Sequence, residues 1–490
     1  MHKHKAIEAL KTFTPDEFKR FEKFIKSPYF NTAKDTVKLF DIIKTFYPAF
    51  DSPALKIERV SKKLKTKGRA TKEARIRNIL TALFQLTKKF LSTEYYTTSE
   101  HHMKFAEVHK LYHKKLTNAY KKEVTNYFEK YKDIQSPSDS NMFEIFQTAN
   151  LYLMDLMNKA LPYKDSAMFS FQSEVAALIA LDIIISNAKV APMAKFSSNL
   201  QYADICGEIF KLFDFEKFIE RSKKISPKVY DIINPEYYLM KISMNKDFED
   251  SYKKITDNFF KRKNHRFTSY TTIFTINSIN TIVNLARYNT PYDKAPAIAK
   301  KAIPLMEFFL KNKLYKPISP DLPLINFIGF LNNASLAKDY DWMKQFIENH
   351  SGELNIQDKD FTIGLGLGMY NTYTGNFREA LSLLSKLSGG STFLVNFAKF
   401  HMILCHYGLG NYETALSMAD AYVKFLERKY ETSERPDIIE MKFFKKFLKI
   451  VQGNSLSGLR DLEGEVKRTL KGSSYILNYI SKLKKNNKTN

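Results

Sequence analysis

The chain has 490 residues and a net charge of +25, which is room for two or three domains or for one extended stack of repeats. Gly and Pro number only 16 each, so turns are few and elements long, and 44% apolar residues beside 26% charged ones exclude a largely disordered chain. The two cysteines, Cys206 and Cys405, lie in apolar segments with no CxxC or Cys/His spacing, which excludes a disulfide framework and points to a reducing cytoplasm.

The basic N-terminus, Met1 to Lys5, leads into Thr14-Pro15-Asp16-Glu17 rather than an apolar segment, which argues against a secretory signal. The longest apolar run, Val175 to Leu181, is broken by Asp182, so no membrane span is expected. Charge is uneven, since residues 1–134 hold 30 Lys+Arg against 15 Asp+Glu. That balance favours anionic partners. Only 14 of the 77 basic residues are Arg, however, and Arg is the preferred side chain for bidentate phosphate and base contacts. Solubility is the competing account.

Helix signals start with Thr14 as cap, Pro15 at the first helical position and Glu17 completing a capping box, followed by Phe18, Phe21, Phe24 and Ile25 at helical spacing. Ser27-Pro28-Tyr29-Phe30-Asn31 breaks this helix, and a second follows with Val37, Leu39, Phe40, Ile43 and Phe46. A third is expected from Ser52-Pro53 to Lys67-Gly68. A fourth, from about Thr71, carries Ile76, Ile79, Leu80, Leu83 and Phe84. These make an N-terminal unit over 1–92.

A long-helix region, 93–225, comes next. Residues from Tyr95 to Lys132 continue without Gly or Pro, as one helix or as two with a bent join. Helices are expected over Met142–Leu161, Ser166–Asn187 and Phe196–Leu212. No sustained period-two Val/Ile/Thr pattern occurs anywhere, so the chain reads as all-α.

Beyond this, a short polar step before an aromatic recurs at Asp214-Phe215, Asp247-Phe248, Pro291-Tyr292, Asp339-Tyr340, Asn376-Phe377 and Asn411-Tyr412. The last two belong to Gly375-Asn376-Phe377-Arg378-Glu379-Ala380-Leu381 and Gly410-Asn411-Tyr412-Glu413-Thr414-Ala415-Leu416, which repeat 35 residues apart. Each aromatic is expected to begin the second helix of a hairpin and to wedge between neighbouring helices, while Ala380 or Ala415 lets those helices approach. Residues 431–490 should cap the stack with Met441, Phe443, Phe444, Phe447 and Leu448, ending in a polar tail, Lys484 to Asn490, that frays.

At these residues the chain resembles the tetratricopeptide-repeat family, with Leu367-Gly368 at its first-helix Leu-Gly positions, Gly375-Asn376-Phe377 at its turn and Ala380 at its small position. The next copy keeps Gly410, Tyr412 and Ala415 but has Met402-Ile403 in place of Leu-Gly. The segments Phe21 to Asn31 and Tyr340 to Glu348 are also similar to a family of uncharacterised bacterial helical-repeat proteins. The resemblance implies an α-solenoid with degenerate repeats over 226–430 and supplies no activity.

Such a stack lines its concave face with first helices. Here that face is Thr362, Leu365, Met369 and Tyr373, then Phe397, Phe400, Leu404 and Tyr407, an apolar groove suited to an amphipathic helix or extended peptide of a protein partner. The opposing reading buries these residues beneath neighbouring hairpins or C-terminal helices. The densest cationic cluster is Lys62, Lys63, Lys65, Lys67, Arg69, Lys72, Arg75 and Arg77 across a turn, which would suit nucleic-acid phosphates or simply face solvent.

His109 and His113 lie four apart, with His101-His102 upstream, but no third ligand accompanies them, so they read as a surface-helix feature and no metal is expected. Gly364-Leu365-Gly366-Leu367-Gly368 follows no strand, so helix packing explains it better than a dinucleotide fingerprint. No GxxxxGK[ST] or GxSxG motif occurs, and no catalytic residue or cofactor is assigned. The expectation is a cytoplasmic, non-catalytic protein-interaction scaffold, with a nucleic-acid adaptor using 62–77 as the alternative.

Overall fold

The Thr14 capping box forms as its spacing requires: Glu17 N–H donates to Thr14 Oγ1 at 3.2 Å, and Thr14 N–H donates to Glu17 Oε2 at 2.7 Å. A computed structural model describes the chain except residues 2–3, 67–68, 71–72, 133–140, 159–165, 199–204, 245, 261–268, 292, 355–358, 389–390, 431–432, 434, 454–455, 471–473 and 487–490. It is all-helical apart from one minimal strand pair among the described residues. The chain divides into two units, one of residues 1–132 with 147–162 and one of residues 133–146 with 163–490. Region 93–225 is therefore shared between them.

The first unit contains α1 (Lys5–Lys11), α2 (Pro15–Lys26), α3 (Lys34–Ile43), α4 (Ile57–Lys63), β1 (Lys65–Thr66), β2 (Arg69–Ala70), α5 (Glu73–Thr98), α6 (Glu100–His113), α7 (Thr117–Tyr131) and most of α8 (Met142–Asn158). Helix α1 is an addition to the sequence reading, and it buries Ala6, Ile7 and Leu10. At the break after α2, Asn31 Nδ2 donates to the Ile25 carbonyl at 2.8 Å, satisfying one of the acceptors a helix end leaves open. Phe21 is the centre of an aromatic core, edge-on to Phe13, Phe40 and Phe90 at 5.5, 5.4 and 5.2 Å.

The expected third helix is shorter than its sequence signals suggest, because the antiparallel β1–β2 pair takes over at Lys65. Over Tyr95–Lys132 the chain breaks twice. Ser99 Oγ accepts from His102 N–H at 3.3 Å to start α6, and Lys115 turns through φ 58° before α7.

The second unit contains α9 (Ser166–Ser198), α10 (Ile205–Leu212), α11 (Phe215–Ile225), α12 (Pro227–Ser243), α13 (Phe248–Ile255), α14 (Ser269–Tyr288), α15 (Ala295–Lys300), α16 (Ile303–Lys311), α17 (Leu324–Ala337) and α18 (Tyr340–His350). It continues through α19 (Lys359–Thr374), α20 (Phe377–Ser385), α21 (Thr392–Gly408), α22 (Tyr412–Tyr430), α23 (Pro436–Gln452), α24 (Leu456–Thr469) and α25 (Tyr475–Asn486). Helices α11, α13, α18, α20 and α22 each begin at the aromatic of a polar step, and Tyr292 lies outside the described residues. The polar residue acts as the cap at Asp214 and Asp339, which accept from Lys217 N–H at 3.0 Å and Trp342 N–H at 3.2 Å.

Within α9, Ser166–Asn187 contains an 18-residue stretch with a mean hydropathy of 1.7, long and apolar enough to cross a membrane once Glu174 and Asp182 are tolerated. No uninterrupted apolar run of that length marks this stretch in the sequence. The helix packs on α12 and buries Val175, Leu178, Leu181 and Ile185 along one face. Met441, Phe443, Phe444, Phe447 and Leu448 of α23 are at most 5% exposed. Lys484, placed in the fraying tail by its sequence, is instead helical and paired with Glu463.

Candidate protein-binding surface

The two repeated heptapeptides fold alike. Gly375 and Gly410 take φ of +88° and +78°, the left-handed region where a side chain is strained, and thereby close α19 and α21. In both turns the Asn N–H donates back to a carbonyl of the first helix, Asn376 to Asn371 at 2.8 Å and Asn411 to His406 at 2.9 Å. Ala380 and Ala415 then follow, both fully buried.

The aromatic wedge is explicit. A Cβ placed on Gly408 of α21 would meet the Phe377 ring of the preceding hairpin at 2.4 Å, so the glycine is the notch that receives the ring. On α19, Gly364 and Gly368 press against Leu387 and Leu384 at 2.6 and 2.5 Å on the same test, the close helix packing expected of the GLGLG run. Helix α21 is shared sideways: Leu394, Ala398 and Cys405 join the core running back to α12, whereas Ile403 and Leu404 join the core running on to α25.

That sharing decides the fate of the eight groove residues. Thr362, Leu365 and Met369 are fully buried and Leu404 is 3% exposed, so these four are core and present no surface. Helix α19 packs against α17, α18, α20 and α21, so its apolar residues are spent on neighbours. Tyr373, Phe397, Phe400 and Tyr407 keep partial exposure. Tyr373 stacks on Tyr340 at 6.4 Å and meets His401 edge-on at 5.3 Å. Phe400 meets Tyr475 at 5.5 Å, and Tyr407 meets Tyr479 at 5.0 Å and Phe447 at 5.5 Å. The first-helix face around Phe400 and Tyr407 thus has an occupant, α25.

Three titratable groups gather along this face without any local sequence signal. Burial holds His401 down to about 3, and neither of its ring nitrogens has a hydrogen-bond partner. Burial pushes the Glu440 carboxyl up to about 7, opposed by the Ser474 hydroxyl, the charge of Arg287 and the Tyr475 N–H. Ser474 Oγ donates to Glu440 Oε1 at 2.7 Å and Tyr475 N–H donates to the same oxygen at 3.3 Å, so Glu440 of α23 caps the N-terminus of α25. Tyr475 Oη is buried without a partner. The only trace of this in the sequence is the spacing of Tyr475 and Tyr479, four apart on one helical face.

The cationic cluster is less available than its composition suggests. Lys62 and Lys63 are exposed at the end of α4, but Arg75 pairs with Asp35 and Arg77 lies 3.8 Å from Glu73. Lys67 and Lys72 lie outside the described residues, as do the side chains of Lys65 and Arg69. His101, read as a surface residue, is buried, and its Nε2 lies 2.8 Å from Tyr127 Oη. His109 lies beside Thr148, and its partial burial, with the nearby His113, depresses its pKa. Among the described residues, no three His, Cys, Asp or Glu side chains meet as a metal site. Comparison with protein-family models, with curated proteins and with solved structures finds no match to this chain.

Proposed function

We propose that the chain is a non-catalytic protein-interaction scaffold of the cytoplasm, an α-solenoid of tetratricopeptide-like hairpins that binds a protein partner through its helical-repeat surface. The observation that carries this reading is the Phe377 ring seated in the Gly408 notch between two hairpins with matching turns. Repeats joined by their sides bury their cores against each other and leave extended faces for partners.

The test is purification of the tagged full chain from its own cells at high salt. Co-elution of a protein in fixed stoichiometry is expected, and a chain that elutes alone would count against the scaffold. The second reading, nucleic-acid association, rests on exposed Lys62 and Lys63 within the basic first unit. It predicts a salt-dependent gel shift that Lys62→Glu with Lys63→Glu weakens, the salt slope falling by roughly 0.9 per lost phosphate contact. A slope identical in the variant would retire it.

A further inference from the structure

We propose that α25 is an exchangeable occupant, and that the trough formed by Phe400 and Tyr407 of α21 with Phe444 and Phe447 of α23, ended by the Glu440 carboxyl, binds an amphipathic helix from a protein partner. That helix would carry two aromatic residues four apart directly behind a serine. The inference rests on the scaffold reading and adds the site and the kind of ligand.

The occupant defines the recognition chemistry. Tyr475 meets Phe400 at 5.5 Å and Phe444 at 5.7 Å, and one turn on Tyr479 meets Tyr407 at 5.0 Å and Phe444 at 5.8 Å. Residues four apart share a helix face, so one aromatic pair fills the trough. Ile476 and Ile480 bury the flank of the same helix, and Ser474 with the Tyr475 N–H engages Glu440 at its start. Aromatic anchors with one oriented polar end are what a helix-in-groove site needs to set register and direction.

The fit is also imperfect in a way that suits exchange. Tyr475 Oη is buried and unpaired, and an unsatisfied buried hydroxyl disfavours the closed state. A partner with phenylalanine at that position would avoid the penalty. Along the rest of α25, the polar face is held by Lys484 on Glu463, a partly buried pair.

The probe is a dye-labelled peptide with the sequence of residues 474–486, followed by anisotropy on the full chain. Tyr475→Ala with Tyr479→Ala in the chain weakens its own α25 and leaves the trough intact. This variant should bind the peptide at least roughly tenfold tighter than the unaltered chain, because the competent state is no longer taxed by the resident helix. A peptide lacking both tyrosines should not bind, and adding Phe400→Ala to the variant should abolish capture. A folded variant that ignores the peptide overturns the proposal.

Should the variant fail to fold, hydrogen exchange on the unaltered chain decides. Exchange of Ile476–Lys484 ahead of α22 supports an occupant that leaves, whereas equal rates make α25 a permanent part of the core and overturn the idea. The readout needs no natural partner, so its failure is separate from failure of the scaffold reading.

Discussion

Two side chains in the α21–α25 region carry opposite pH signatures. Glu440 holds its proton more tightly in the folded chain, with a pKa of about 7 against 4.5, so the stability it confers is full below pH 4.5 and falls as pH rises to about 7. His401 is held at about 3 against 6.5, so its contribution is full above pH 6.5 and falls as pH drops toward 3. Between 4.5 and 6.5 the two oppose each other. Urea midpoints of Glu440→Gln across this range should lose the decline with rising pH and keep the acid limb; an unchanged profile would show that Glu440 does not titrate in the fold. At Gly408, alanine gains about 1 kcal/mol of helix propensity but overpacks the Phe377 ring at a cost of about 1–3 kcal/mol. A lower urea midpoint is expected for Gly408→Ala, and an equal or higher one would mean the notch is loose.

Helix beginnings are the most local devices in the chain, and each has a measurable worth. Thr14→Ala removes the side-chain half of the α2 capping box and should cost about 1 kcal/mol in equilibrium unfolding. Gly375→Ala places a Cβ on a residue at φ +88°, with an expected cost of about 1–2 kcal/mol even though open space surrounds that position. Such features were legible because a cap, its aromatic and its turn glycine lie within one helical turn of each other: α11, α13, α18, α20 and α22 start where the polar steps put them. Elements without strong caps were harder. Helix α1 lacks an aromatic stripe, and the short β1–β2 pair interrupts a basic stretch that carries little pattern of its own.

At the scale of the whole chain, the buried residues of the Phe21-centred core run from Ala6 to Phe90 within the first unit, while two buried clusters of the second unit run from Leu239 to Cys405 and from Ile403 to Ile480. Separate cores predict separate transitions. The single tryptophan, Trp342, donates its indole N–H to Glu307 at 3.2 Å and stacks on Phe346, so its fluorescence reports the second unit alone, whereas far-UV circular dichroism reports both. Thr14→Ala should therefore shift one circular dichroism transition and leave the tryptophan transition in place, whereas Gly408→Ala should shift the tryptophan transition together with the other circular dichroism transition. A Thr14→Ala shift that moves the tryptophan transition as well would mean that the chain unfolds as one cooperative body.

By itself, the sequence determined the helical class, the faces of the helices and the positions where hairpins turn, because those depend on residues a few places apart. Only the tertiary structure decided which faces remain open. Thr362, Leu365 and Met369 match an inward stripe equally well whether it borders solvent or a neighbour, and Phe400 and Tyr407 are covered by tyrosines far along the chain in α25. Arg75 carries its charge in any reading, yet its pairing with Asp35 exists only once α3 and α5 pack together. Burial and pairing are properties of neighbours brought together in space, and periodicity contains no record of which neighbours those are.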